Sequence, residues 1–532
     1  MKRICSAILT ASLALANPLA FGHEGDKAPG AETLGKVKFA NSCSKDVQGK
    51  LTRGVALLHS FWYTEGEKTF REVLAADPSC AIAHWGIASL LMSNPIAGQG
   101  ASPDGAKIAA AELEKARAAE AKTERERDYI EAVAASYADF GNRTERDRQE
   151  ARAAAYEKLA AKYPKDDEAQ IFYALYLAAT QTLADKSYAP ALKAAGILEQ
   201  QFKKQPGHPG VAHYLIHSYD YPPIAQKGVS AARRYAKIAP SAPHALHMPS
   251  HIFTRVGYWT DAASTNARSW DTAMKSGDYD EALHAADYLA YAYLQMGRDG
   301  QARKVLANAQ QVTKFNQGRF VGHYALSAIP ARLAVERGDW KAAAALEPRQ
   351  TKFPFTDAML HFARALGAAR SGNPEAADKD IEALRRLHGQ LKEAKNNYWA
   401  TEVEVSALAA AGWQRLAQGK RDEAEAFMRQ AADMEDKNDK HIVTPGRIVP
   451  ARELLGDLLL AMKRPKDALK EYESSQKREP DRFRGLYGAA SAAQQAGDAE
   501  KAKRYYARLV KIAGKGDARR ELKAARAYLS GV

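Results

Sequence analysis

One turn recurs along this chain and leaves few folds open to it. A helical stretch ends in Gly, four residues intervene, and Ala follows: GYWTDA at 257–262, GRDGQA at 297–302, GDWKAA at 338–343, GNPEAA at 372–377, GKRDEA at 419–424 and GDAEKA at 497–502. KRPKDA at 463–468 is the same turn with Lys463 in the glycine position. Glycine lets the chain leave a helix through the left-handed region, and the small alanine lets the second helix approach the first closely. Successive turns lie 34 to 47 residues apart. That length holds a helix, a turn and a second helix, and such pairs bury their apolar faces only by stacking on one another. The expected fold is all-α: an α-solenoid of stacked helix–turn–helix repeats whose first helices line the concave wall.

The earlier part of the chain agrees. ALLHSFWYTEGEKTFREVLAADP at 56–78 reads as a tetratricopeptide-like unit, with Phe70 at a packing position and Pro78 closing it. Tyr156 and Pro164 repeat the same offset, and Pro206 and Pro240 end further units 34 residues apart. Alanine dominates the 46% apolar share, which favours helix, and runs rich in Val, Ile or Thr are scarce. No Gly/Ser linker divides the chain. The weakest segments are 94–106 and 436–450, the latter containing NDKHIVTPGRIVP.

The N-terminus reads as an export signal. MKR is followed by the apolar ICSAILTASLALA and then by small residues suited to cleavage near Ala16, Ala20 or Gly22. The expected organisation is a signal peptide at 1–22, a flexible mature N-terminus at 23–42, tetratricopeptide-like units carrying histidine motifs at 43–255, and further units at 256–532. Cleavage after Gly22 would expose His23, whose amine and imidazole chelate copper; cleavage at the earlier sites would not. No other segment approaches the roughly 18 apolar residues of a membrane span, so stable membrane insertion is not expected. The mature protein is expected in the periplasm or outside the cell. Two cysteines then remain, Cys43 and Cys80, read as a disulfide with two buried thiols as the alternative.

The net charge of +14 does not by itself imply a nucleic-acid partner. Lys and Arg are interleaved with Asp and Glu, as in KTERERD at 122–128, where nucleic-acid binding needs them gathered on one face. No nucleic-acid partner is expected.

Five of the 14 histidines fall in two short stretches, HYLIHSYD at 213–220 and HALHMPSHIF at 244–253. His213 and His217 are four apart and share a helix face. His244, His247 and His251 are spaced by three and four, within about 60° of helix, and Pro249 among them must start or kink a helix. His244 lies 13 residues before Gly257, and His284 lies 13 before Gly297. His323 and His361 hold similar places before Gly338 and Gly372, and His59 and His84 read as helix positions in the first units. Histidines on first helices of neighbouring units converge on one wall. Imidazole at four-residue spacing chelates zinc, copper or iron without distortion.

The expected metal ligands are His213, His217, His247 and His251, with His244 as a fifth ligand or an acid/base group and Asp220 orienting them. His59, His84, His284, His323, Tyr214 and Trp85 are candidates for lining the site. With imidazole dominant and no thiol cluster, copper is expected first, then zinc or iron. A single histidine on such a wall is ordinarily a packed or solvent-facing polar residue, and that plain reading stands beside the functional one.

HYLIHSYD, HMPSHIFTRVGYW and LLHSFWYTEGEKTFREVLAADPSCAIAHWGIA together resemble a family of bacterial exported tetratricopeptide-repeat proteins, and PGRIVPARELLGDLLLAMKRPKDAL at 445–469 is similar to that family's closing units. The resemblance covers most of the mature chain. It implies the repeat fold and that His213, His217, His244, His247 and His251 travel together as a site, with His59, Trp85 and His323 near it. It implies no particular reaction.

No Walker loop, dinucleotide fingerprint, GxSxG elbow, paired-cysteine zinc motif or HExxH occurs. Two readings follow: an exported solenoid holding a histidine-bound metal, as metalloenzyme or metal-binding protein, and an envelope interaction scaffold without catalysis. A protein or peptide in the concave groove fits either. The oligomeric state is not legible.

Overall fold

The computed structural model describes residues 32–98 and 100–531. The expected signal peptide at 1–22, with His23 and the first part of the 23–42 segment, lies outside the described residues. From Thr33 onward the chain is one compact unit, with α-helices, short 3-10 turns and no strand among the described residues. It is a tetratricopeptide-like helical solenoid.

The repeated turn is what builds it. Gly257, Gly297, Gly338, Gly372, Gly419 and Gly497 all have positive φ, between 64° and 91°, and Lys463 takes the same conformation at 62°. Each turn is closed by the N–H of the following residue donating back to a carbonyl of the last helical turn, as Tyr258 to Phe253, Arg298 to Tyr293 and Arg464 to Leu459, at 2.8–2.9 Å. This is the Schellman closure, which satisfies carbonyls that a helix end otherwise leaves open. The alanine five residues beyond each turn (Ala262, Ala302, Ala343, Ala377, Ala424, Ala468, Ala502) is buried.

First helices stand beside one another as expected. Tyr279–Gln295 packs on Phe320–Arg337, which packs on Pro354–Arg370, which packs on Asn397–Ala417. Pro249 starts a helix: Pro243–His247 gives way to Pro249–Arg255 across Met248, which keeps helical angles, so the two run on with a break.

Three features were not expected. Residues 33–42, read as flexible, are an extended strap. Leu34 and Phe39 are buried, Phe39 stacks on Trp85 at 5.1 Å, and Lys36 N–H donates to the Gly207 carbonyl at 2.9 Å. The apolar packing divides within Phe320–Arg337: Ala325 and Ile329 face one cluster, and Phe320, Tyr324 and Val335 face the other. The solenoid also curls until its last units meet its middle. Arg482, fully buried, donates to Glu453 at 2.8 Å, to the Tyr291 hydroxyl at 2.5 Å and to Glu336 at 2.5 Å, while Trp259 Nε1–H donates to the Asp481 carbonyl at 2.7 Å.

The weak segment at 436–450 lies inside this curl, across the first helices. Asp439, Lys440, Ile442 and Thr444 are buried, Arg332 donates to the Gly446 and Arg447 carbonyls, and the Tyr398 hydroxyl donates to the Asp439 carbonyl. Its irregular backbone is tolerated because side chains from the concave wall supply its hydrogen bonds.

Cys43 and Cys80 form a disulfide, with Cα atoms 4.8 Å apart. It closes a 37-residue separation, worth about 4 kcal/mol on a loop-entropy account. The pair Cys43→Ser/Cys80→Ser is expected to lower the thermal midpoint of the N-terminal units, followed by calorimetry.

The turns make a second prediction. A Cβ at Gly497 meets nothing within 4 Å, so Gly497→Ala carries only the left-handed backbone cost of about 1–2 kcal/mol. A Cβ at Gly257 falls 2.7 Å from Asp481 Cβ, so Gly257→Ala adds a clash with the returning C-terminal unit. Urea unfolding is expected to show Gly257→Ala as the more damaging of the two.

Candidate metal centre

The histidines that the sequence placed on one wall meet as two groups of three. The nitrogens of His213, His217 and His244 lie within 4.8 Å of one another, as do those of His247, His251 and His284. The helix Pro209–Tyr219 carries the first two, the broken helix 243–255 carries His244, His247 and His251, and Tyr279–Gln295 adds His284. The groups adjoin: ring centroids are 5.8 Å apart for His217 and His251 and 5.8 Å for His244 and His247. The expected four-ligand set of His213, His217, His247 and His251 is therefore divided between the groups, and His284, expected only as lining, is a full member of the second.

Hydrogen bonds to the ring nitrogens settle which nitrogen faces inward. His213 Nδ1–H donates to the His59 carbonyl at 2.7 Å, and His244 Nδ1 meets Glu281 Oε2 at 3.0 Å. His247 Nδ1 meets Asn266 Oδ1 at 2.7 Å, and the Asn266 amide is oriented by its own N–H donation to the Ala262 carbonyl at 2.7 Å. His251 Nδ1 meets Asp220 Oδ2 at 3.0 Å, and the other Asp220 oxygen accepts from Arg255 at 2.7 Å. In each case Nδ1 carries the proton, so a neutral ring turns an Nε2 lone pair inward.

Those inward nitrogens are poorly satisfied. Nε2 of His213, Nε2 of His244 and both nitrogens of His217 are buried without a hydrogen-bond partner. Nε2 of His247 and Nε2 of His251 face each other at 3.0 Å, and with both Nδ1 atoms protonated neither has a proton to share. Buried polar atoms are rarely left like this, because each one costs about 1–3 kcal/mol. A cation among the lone pairs removes that cost, and a carboxylate or carbonyl behind Nδ1 is the usual support of a metal-bound imidazole.

The remaining candidates take other places. His59 and His208 share Glu168: each Nε2 lies 2.9 Å from one of its oxygens, His59 Nδ1 accepts from the Tyr214 hydroxyl at 2.9 Å, and His208 Nδ1 accepts from the Val211 N–H. Every nitrogen there is satisfied, so this third His/Glu grouping is a closed network that buttresses His213 from behind. His84 pairs with Glu112 at 2.5 Å, and Trp85 donates to the Tyr156 hydroxyl at 3.0 Å within the aromatic core. His323 sits against Phe315 and Phe353 and joins no group of three among the described residues. Sequence reading missed Glu281, Asn266 and Glu168. Glu281 did leave a signal, lying three residues before His284 and so on the same helix face.

The site is buried beside a cavity. A cavity of about 100 Å³ is lined by Phe61, Tyr63, Arg319, Phe320, His244 and His284, one imidazole from each group. Tyr288 closes the far side, its ring 4.6 Å from that of His247 and its hydroxyl 3.4 Å from His251 Nδ1. Behind Asp220 the 436–450 segment supplies Lys440, whose Nζ is 3.7 Å from Oδ1 and which burial, with Arg255 nearby, brings down to about 7. Burial holds His213, His217 and His284 well below the usual imidazole range and His247 down to about 3. Neutral imidazole is the form that binds metals.

No family model matches this chain, and no curated protein matches it by sequence. Among solved structures, the human IFIT1 dimer with PPP-AAAA is 12% identical, with a TM-score of 0.40, covering 81% of this chain and 91% of that one. A tetratricopeptide repeat protein from Parabacteroides merdae is 15% identical, with a TM-score of 0.32, covering 63% of this chain and 99% of that one.

The imidazoles predict an acid sensitivity. Unfolded histidines bind protons below about 6.5, whereas these buried ones stay neutral to much lower pH, so the unfolded state binds more protons in that window. The contribution of these imidazoles to the stability of the metal-free protein is present in full above about 6.5 and is lost as the pH falls toward the folded values, about 3 for His247. The thermal midpoint is expected to drop steeply between pH 7 and pH 4, and His217→Gln to flatten that slope.

Proposed function

We propose that this protein is an exported metal-binding solenoid whose histidine-lined interior holds copper, or failing that zinc or iron, as a metalloenzyme or metal-binding protein. The observation that carries the reading is the set of buried imidazole nitrogens with lone pairs turned inward and no partner, beside a neighbouring histidine–glutamate network in which every nitrogen is satisfied. A purely structural role accounts for the second arrangement and not for the first. His213, His217, His244, His247, His251 and His284 are the ligands in this reading, with Glu281, Asp220, Asn266 and the His59 carbonyl fixing their orientation.

Copper stands first because the donors are nitrogen alone and copper binds such sites most tightly among the divalent first-row metals. The export signal and membership of the histidine-motif family belong to the same reading. If the metal is copper or iron the chemistry is oxidative, and if zinc it is hydrolytic. The competing reading is a scaffold taking a peptide in its groove. Residues 438–447 of this chain already run across the first helices there and take up the hydrogen bonds a peptide would need, which favours the metal.

Protein purified without a tag from the periplasm is expected to hold at least one transition-metal ion per chain by elemental analysis. Stripping it with a chelator should lower the thermal midpoint, and copper should restore it; saturation at 1,000 times the dissociation constant is worth about 4 kcal/mol. Protein that arrives empty and takes up no added copper, zinc or iron would overturn the reading.

A further inference from the structure

We infer that the centre holds two adjacent copper ions, each bound by three imidazoles: one by His213, His217 and His244, the other by His247, His251 and His284. The inference rests on the proposal that the histidines bind metal and concerns how many ions they hold and how these are arranged.

Metal–imidazole bonds of about 2.0–2.1 Å place the ligand nitrogens of one ion no more than about 4 Å apart. Each group already lies within 4.8 Å, so closing on an ion needs side-chain shifts of less than about 1 Å. A single ion bound by either group leaves the other uncorrected. An ion among His213, His217 and His244 does nothing for the facing lone pairs of His247 and His251, 3.0 Å apart, and an ion there leaves the buried nitrogens of the first group without partners.

The supports are also distributed one set to each group. Glu281 backs His244 in the first and Asp220 backs His251 in the second, so each ion has one carboxylate behind one imidazole. Neutral acceptors, the His59 carbonyl and Asn266 Oδ1, back one further imidazole in each. Three imidazoles leave each ion an open position. His244 and His284, one from each group, line the same cavity, so a single small ligand entering past Phe61 and Arg319 reaches both ions.

The test is copper loading of the full mature chain, read by elemental analysis and electron paramagnetic resonance. Two copper ions per chain are expected. In the Cu(II) state their resonance should integrate to far less than two spins, because neighbouring ions couple magnetically. His213→Ala/His217→Ala and His247→Ala/His284→Ala should each retain one copper and gain a full one-spin signal. The wild-type stoichiometry stands alone if either variant fails to fold. One copper per wild-type chain, or two giving a full two-spin signal, would overturn the paired centre while leaving metal binding in place. No copper at all would overturn the metal reading with it.

Discussion

From Gly257 onward this molecule depends on the closure of one turn. At each such turn from Gly257 to Gly497 the chain leaves a helix through a left-handed residue, donates one N–H back into the last helical turn, and starts the next helix with a buried alanine close against the first. Because the turn is short and geometrically fixed, first helices of successive units stand side by side, and residues at matching distances before their turns face the same interior. His244 and His284, each 13 residues ahead of a turn glycine, are such a pair, and they end as neighbours on one cavity. The turn thus does for the histidines what strand register does for residues across a sheet.

The interior that results is unusually polar for a helical core, and its two halves resolve that polarity differently. Glu168, the Tyr214 hydroxyl and the Val211 N–H between them satisfy every ring nitrogen of His59 and His208, giving an inert buttress. The six imidazoles beyond it have their outer nitrogens satisfied where a partner exists and their inner ones largely unsatisfied. Four unpartnered imidazole nitrogens, on His213, His217 and His244, lie within one group of rings, which is the arrangement of a ligand shell, whereas the two unpartnered nitrogens of His323 stand apart from any such group. Burial that keeps His213, His217, His247, His251 and His284 neutral also makes the metal-free interior costly at low pH, so the features that suit a metal are a liability to the fold without one.

The closure of the superhelix has a part in this. Arg482, bound to Glu336, Glu453 and Tyr291, ties the last units to the helix that carries His284, and the 438–447 segment brings Lys440 up behind Asp220. Removing one partner of such a buried ion pair is far more damaging than losing a surface pair, because an uncompensated charge is left inside. The C-terminal repeats therefore secure the back of the centre although they contribute no imidazole to it.

The sequence by itself determined the repeat, its turns, the helix pairs and the fact that histidines gather on first helices. Each of these follows from local chemistry: glycine at a left-handed position, alanine at a close contact, four-residue spacing on one face. It did not determine how the histidines divide. Which rings meet depends on the angle between stacked units and the break at Met248–Pro249, and neither is encoded in periodicity. Tertiary structure alone brought His284 into the second group, set Glu281, Asn266 and Asp220 behind their imidazoles, and closed His59 onto Glu168, because those contacts join residues 19 to 109 positions apart. It likewise laid residues 33–42, anchored by buried Leu34 and Phe39, and the largely buried 436–450 along the helices: an irregular segment has no preferred structure of its own and takes whatever path the finished wall can satisfy.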